Sequence, residues 1–347
     1  MKQSGFDSAF QYKTLVMCLL LSITSVGQDI QFSQFYAVPL YQNPAFAGSA
    51  FLNRVVLHQR FQWMRLDARF ASSYASWDNH YDKIRGGIGV MASHDYQGGD
   101  KIISDDIAVQ YATEVQLNEK FALRAGAQLA LGWRTIDYSR FQYSQDYTDQ
   151  GYQGNTYNQY GSERFFYPDL ALGTVLYTEK MWFGISSHHI NEPKQTFYSN
   201  INNKLPMKLA FTGGYKYVIK QYTSNTDYFK RTIEYNLIPT AHYKMQGKSD
   251  QLDLGLYSQM DKLLLGVWYR GIPIKRLDGI QNNESTVILA GLKYHHVVFT
   301  YSYDLTLSRL SRARTGGSHE LNLTLYFEKK KKTVRPMKRL PCPDYFD

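Results

Sequence analysis

The stretch "KFALRAGAQLALGWR" carries the pattern that organises this chain. Phe121, Leu123, Ala125, Ala127, Leu129, Leu131 and Trp133 alternate with Ala122, Arg124, Gly126, Gln128, Ala130, Gly132 and Arg134, so one face is greasy and the other polar or tiny. A period of two predicts a strand, and the alternation holds across residues 121–134. Strands of soluble domains average about 5 to 6 residues, whereas a tilted strand needs about 9 to 11 to cross a bilayer. Length therefore favours a membrane-spanning strand.

The same alternation recurs in Val55, Leu57, Phe61 and Trp63 against Arg54, His58, Arg60 and Gln62, and in Ile107 to Leu117. It returns at Met207 to Tyr217 and at Leu321 to Phe327. About 14 such runs fall near 53–65, 69–79, 84–94, 106–117, 120–134, 165–177, 181–190, 206–219, 232–245, 251–259, 263–270, 286–294, 297–305 and 318–327. The prediction is an all-β chain closed into a transmembrane antiparallel β-barrel, since an even count suits a single-chain bacterial barrel.

Link lengths support it. With both termini in the periplasm, links after even-numbered strands should be tight. "NEK" near 118–120, "TEK" at 178–180, "MDK" at 260–262 and "HH" at 295–296 fit; the long links 135–164, 191–205, 271–285 and 306–317 all follow odd strands. The exception is "QYTSNTDYFKR" at 221–231, where a misplaced strand boundary is expected.

Composition narrows the class. The 347 residues include 29 Tyr and 19 Phe, aromatics are 15% and charged residues 20%, and the mean hydropathy is −0.42. Nothing after residue 27 offers 18 uninterrupted apolar residues, so helical spans are excluded. Before that point, Lys2 and Lys13 precede the run "LVMCLLLSITSVG" at 15–27, which reads as a secretory signal peptide cut ahead of Gln28. Its removal takes Cys18 away and leaves only Cys342, so no intramolecular disulfide is expected. The chain then divides into a signal peptide at 1–27, a barrel at 28–327 that includes a lead-in at 28–50, and a basic periplasmic tail at 328–347.

Much of the formal charge of +9 sits in that tail, where seven Lys or Arg face three acids. With no basic patch interleaved with stacking motifs elsewhere, nucleic acid is not an expected partner. Lys329, Lys330, Lys331 and Lys332 could bind anionic headgroups or an acidic periplasmic partner, or form a solvated end; Cys342 is buried against a partner or free.

The lead-in "QFSQFYAVPLYQNPAFAG", residues 31–48, is uncharged and neither amphipathic helix nor clean strand. Pro39 and Pro44 bar it from a central strand, and unpaired backbone in hydrocarbon costs several kcal/mol per group. It belongs either at the periplasmic mouth, wrapped around the base of the first strand, or inside the barrel as a plug. The interior is favoured, because Gln31, Gln34, Gln42 and Asn43 could bond a lumen lined by Arg60, Gln62, Arg124 and Gln128.

This segment, with Gln31, Phe32, Gln34, Pro39, Asn43, Pro44 and Gly48, resembles the opening of the PorP/SprF family of type IX secretion system membrane proteins. The likeness continues through Arg60, Gln62 and Trp63 in "QRFQW" and through Gly87, Gly89, Asp95 and Gly98 in "GGIGVMASHDYQGG". It closes with Tyr301, Asp304, Ser308, Gly316, Gly317, His319 and Glu320 in "YSYDLTLSRLSRARTGGSHELNLTLYF". The resemblance implies a non-enzymatic outer-membrane barrel that assists export or surface attachment of a partner, such as a large gliding adhesin. Its partners would be outer-membrane lipid, type IX cargo and periplasmic secretion components, with no cofactor.

Other chemistry reads weakly. Adjacent strand residues point to opposite faces, so neither His188 with His189 nor His295 with His296 can chelate a metal through both rings without irregular backbone. No "GxSxG" elbow marks a nucleophile. The competing function is an outer-membrane transporter or channel for small or hydrophobic solutes.

Overall fold

The computed structural model describes residues 29–66, 70–98, 102–141, 147–149, 151–152, 161–195, 204–226, 229–277, 280–307 and 315–327. The proposed signal peptide, Ser308 and the tail with Lys329 to Lys332 and Cys342 lie outside them.

The strands are β1 (Asn53–Gln62), β2 (Phe70–Tyr81), β3 (Gly86–Gln97), β4 (Ile102–Gln116), β5 (Ala122–Asp137), β6 (Tyr147–Thr148), β7 (Gly151–Tyr152), β8 (Ser162–Tyr177) and β9 (Met181–His188). They continue as β10 (Lys208–Tyr215), β11 (Tyr217–Thr226), β12 (Phe229–Gln246), β13 (Ser249–Met260), β14 (Leu263–Leu277), β15 (Ile280–Tyr294), β16 (Val297–Thr306) and β17 (Ser318–Phe327). Each pairs antiparallel with its neighbour, β1 meets β17, and β10 meets β12, which closes a barrel of 14 strands. The pair β6–β7 is a small separate ladder within the link between β5 and β8.

The period-two pattern faces as expected. On β5, Leu129 is 63% exposed and Leu131 49%, while Arg124, Gln128 and Ala130 between and beside them are buried. The outer wall is thus apolar and the lumen polar, the arrangement that hydrocarbon requires of a spanning sheet.

Two of the expected links are instead strand. β10 and β11 run nearly in line along the 18-residue β12, broken at Lys216, whose backbone N–H donates to the Lys180 carbonyl. The region 221–231 therefore lies largely in paired strand, β11 against the start of β12, with the ladder reaching Thr226 opposite Phe229. Likewise 271–285 forms the continuing ends of β14 and β15, with register shifts after Arg270 and after Ile272. Both stretches lie past the barrel's apolar band, so one greasy face is no longer needed and the alternation fades.

Residues 29–52 lie ahead of β1 inside the cylinder. They form a 3-10 turn at Phe35–Ala37, a four-residue helix at Pro39–Gln42 and a second 3-10 turn at Pro44–Phe46. Each proline opens its turn, where its fixed φ is helical and its missing N–H is not needed. Asn43 separates the two, with its Oδ1 accepting from the Ala45 N–H at 2.9 Å. Of the two places left open for this segment, it takes the interior.

Candidate functional site

The segment spans the lumen from one mouth to the other. At the tight-turn end, Gly48 donates its N–H to Asp78 Oδ2 at 2.7 Å, and Asp78 is held by Arg54 through Nε at 2.8 Å. Arg54 also donates to the Phe46 carbonyl. At the other end Asp29 meets His189, just past β9, and Lys208, which begins β10, at 2.9 and 2.8 Å. His189 also bonds Asp169 at 2.9 Å. Burial alone would push the His189 imidazole down, but the two carboxylates outweigh it and hold it up at about 10. Burial would likewise raise Asp29, yet His189 and Lys208 keep it well below the usual carboxylate range.

Between these ends the two halves of the segment are held differently. Residues 39–48 rest on wall positions that lack side chains. A Cβ on Gly126 would lie 2.5 Å from Ala45 N, one on Gly173 1.9 Å from Asn43 Oδ1, and one on Gly87 2.1 Å from the Ala47 carbonyl oxygen. Only glycine admits so close an approach. Arg124 donates to the Ala45 and Ala47 carbonyls at 2.9 and 2.6 Å, and Gln110 to that of Leu40 at 2.8 Å. Asn43 Nδ2 donates to the carbonyls of Thr174 and Ile185, both at 3.1 Å.

Residues 32–37 are held by a buried charge network. Glu320 accepts from the backbone N–H groups of Ser33 and Gln34 at 2.6 and 2.8 Å and pairs with Arg60. Arg60 also reaches Asp304 at 3.1 Å and Ser33 Oγ at 2.6 Å. Gln34 donates to Ser302 Oγ at 3.0 Å and accepts from Thr300 Oγ1. Phe32 packs edge-on to Tyr41 and His58. Phe35 and Tyr36 turn to the opposite wall, where Phe35 stacks on His242 with centroids 4.9 Å apart.

Most residues singled out from the sequence therefore converge here. Phe32, Gln34, Pro39, Asn43, Pro44 and Gly48 belong to the inserted segment, with Gln31 half-buried ahead of them. Arg60, Asp304 and Glu320 grip it, and Gln62 Oε1 accepts from Arg60 at 3.3 Å. Trp63 stands apart, just beyond β1, where its N–H donates to the Gly317 carbonyl at 3.0 Å. Gly316 and Gly317 have φ of +78° and +73° and form the re-entry turn into β17. His319 faces outward, accepting or donating with Tyr301 Oη at 2.8 Å, while Glu320 faces the lumen.

The histidine pair at 188–189 behaves otherwise than expected. His189 has φ of +57° and has left the ladder, so both rings reach the lumen side, 6.4 Å apart. They serve a backbone carbonyl and two carboxylates. Among the described residues no three His, Cys, Asp or Glu side chains are grouped to hold a metal ion. Sequence reasoning missed Asp29, Arg54, Asp78 and Gln110. Only the inward phase of the last three along their strands marked them as lumen residues.

A closed, plugged β-barrel with a greasy belt is an outer-membrane protein. The chain belongs to the family described as type IX secretion system membrane protein PorP/SprF, which it matches over residues 24–325. It is thereby a membrane component of that secretion system. No curated protein matches it. Among solved structures it is similar to the outer membrane protein Omp33 of Acinetobacter baumannii, at 8% identity over 80% of this chain and 100% of that one, with a TM-score of 0.40. It is also similar to the toluene transporter TbuX of Ralstonia pickettii, at 11% identity over 87% and 94%, TM-score 0.40. A mutant of the monoaromatic hydrocarbon channel TodX gives 9% identity over 84% and 94%, TM-score 0.43.

Proposed function

We propose that the protein is a non-enzymatic component of the type IX machinery that engages a partner polypeptide, such as a large adhesin, during export or surface attachment. The observation that carries this is the inserted segment itself, anchored at both mouths and bonded along its length. A lumen so filled suits a receptor better than a channel for free diffusion. The long links, including the tyrosine-rich stretch 138–166, would present the adaptable surface to the partner. In this reading the tight-turn mouth and the C-terminal tail belong to the periplasm, where Lys329 to Lys332 with Cys342 meet secretion components, whereas Asp29 sits at the opposite mouth, against the expectation that both termini share one side.

Deleting the gene and assaying surface display alongside solute uptake tests the reading. Loss of display with normal uptake is expected. Normal display with a selective uptake defect would replace it with the transporter reading.

A further inference from the structure

The lumen wall is matched to its plug unequally. On the β1–β9 side, wall side chains meet the plug's backbone carbonyls and N–H groups. On the β12–β15 side the plug offers mainly two rings. There the register sets two adjacent rows of inward residues across the strands, His242, Asp253, Arg270 and Ser285 in one, Thr240, Gly255, Trp268 and Val287 in the next.

Five of these eight carry a buried polar atom with no hydrogen-bond partner among the described residues: His242 Nδ1, Arg270 Nη2, Ser285 Oγ, Thr240 Oγ1 and Trp268 Nε1. None of the five residues is more than 7% exposed. Buried polar atoms are ordinarily paired, and each one left unpaired is destabilising. Phe35 and Tyr36 cover this panel, with Phe35 on His242 and Tyr36 edge-on to Trp268 at 6.2 Å. The cover supplies stacking and leaves the donors and acceptors unmet. Gly255 keeps the space between Thr240 and Trp268 free of a side chain; a Cβ there would stand 2.9 Å from Thr240 Oγ1. Arg270 is fixed by Asp253 through Nε at 2.8 Å, which leaves Nη2 to spare.

We propose that this panel is a latent binding site for an aromatic side chain together with the peptide groups beside it, presented by an extended polypeptide, and that Phe35 and Tyr36 occupy it at rest. The proposal rests on the partner-engaging reading for the source of that polypeptide. The ring would take the place of the plug's rings, and its flanking N–H and C=O groups would meet Trp268, Arg270 and Thr240.

The test uses the purified full chain in detergent and does not depend on display. N-acetyltyrosinamide is titrated against the wild type and against Phe35→Ala/Tyr36→Ala, and tryptophan emission is followed. The double variant is expected to bind roughly tenfold or more tightly than the wild type, because it no longer has to displace its own cover. Adding Trp268→Phe should abolish the emission response. Barrel assembly is checked by heat-modifiable migration, and Phe35→Ala alone carries the same test if the double variant fails to assemble. Equal binding by wild type and variant overturns the proposal. So does equal affinity for N-acetylleucinamide, which shows a greasy void only, or for p-cresol, which shows a site for aromatic solutes.

Discussion

The two halves of the inserted segment share one lumen but are fastened by different physics. Residues 39–48 lie against Gly87, Gly126 and Gly173, where shape decides: the segment's backbone, or at Gly173 the Asn43 side chain, meets the bare wall, and any side chain there would displace it. Residues 29–36 are held by charge, through Glu320, Arg60 and Asp304 in the middle and His189 and Lys208 at the end. A contact made of shape is all-or-none. One made of charge can be weakened by degrees, so the 29–36 half, whose charges have no glycine floor beneath them, is the part that chemistry can loosen, whereas the Arg124 and Asp78 contacts of the other half are backed by shape.

The contrast can be broken most forcefully at Gly126. Gly126→Val should expel residues 39–48 while the outer wall still assembles, and single-channel conductance in planar bilayers should rise roughly tenfold as the filled lumen opens. Unchanged conductance would show that the glycine contact is incidental. Glu320→Gln comes next. It removes one of the two carboxylates that Arg60 meets, leaving Asp304 at 3.1 Å, so the cost should fall below the roughly 3 to 5 kcal/mol of a fully broken buried pair. The unfolding temperature should fall and the backbone near Ser33 should become open to protease, with residues 39–48 still protected. Loss of protection in both halves would mean that the segment moves as one body.

The smallest expected effect is that of pH on the Asp29 latch. His189 is raised from 6.5 to about 10 in the fold, so its contribution is complete below about 6.5 and is lost as pH rises through about 10. Asp29 is lowered, so its contribution is present above about 3.8 and lost as pH falls further. Hydrogen-exchange protection at Ile30 and Gln31, corrected for the intrinsic pH dependence of amide exchange, should therefore be greatest near pH 4 to 6.5 and fall on either side. Asp29→Asn should flatten the alkaline limb, and a limb that survives this change would assign it to another group.

The barrel was legible because hydrocarbon imposes a strict alternation, as on β5, and prolines at 39 and 44 told the leading segment to stay off the wall. What lay beyond the apolar band was not. The hairpin of β11 and β12 and the far ends of β14 and β15 read as loops, since strands in water need no greasy face. The glycines of the wall looked like members of a merely small-sided face until the plug's backbone was seen against them. The grip on Ser33 was hidden for another reason. It joins residues 287 positions apart, and no local pattern encodes such a meeting.

That meeting also bears on how the cylinder is made. Arg60 lies on the first strand and Glu320 on the last, directly opposite each other across the seam, and Ser33 clasps both. The inner side of the seam is fully bonded only once the leading segment is in place. Seating the leading segment and completing the seam are thus coupled in the finished barrel, and a chain shorn of its first residues would lack the Ser33 contacts on both sides of that join.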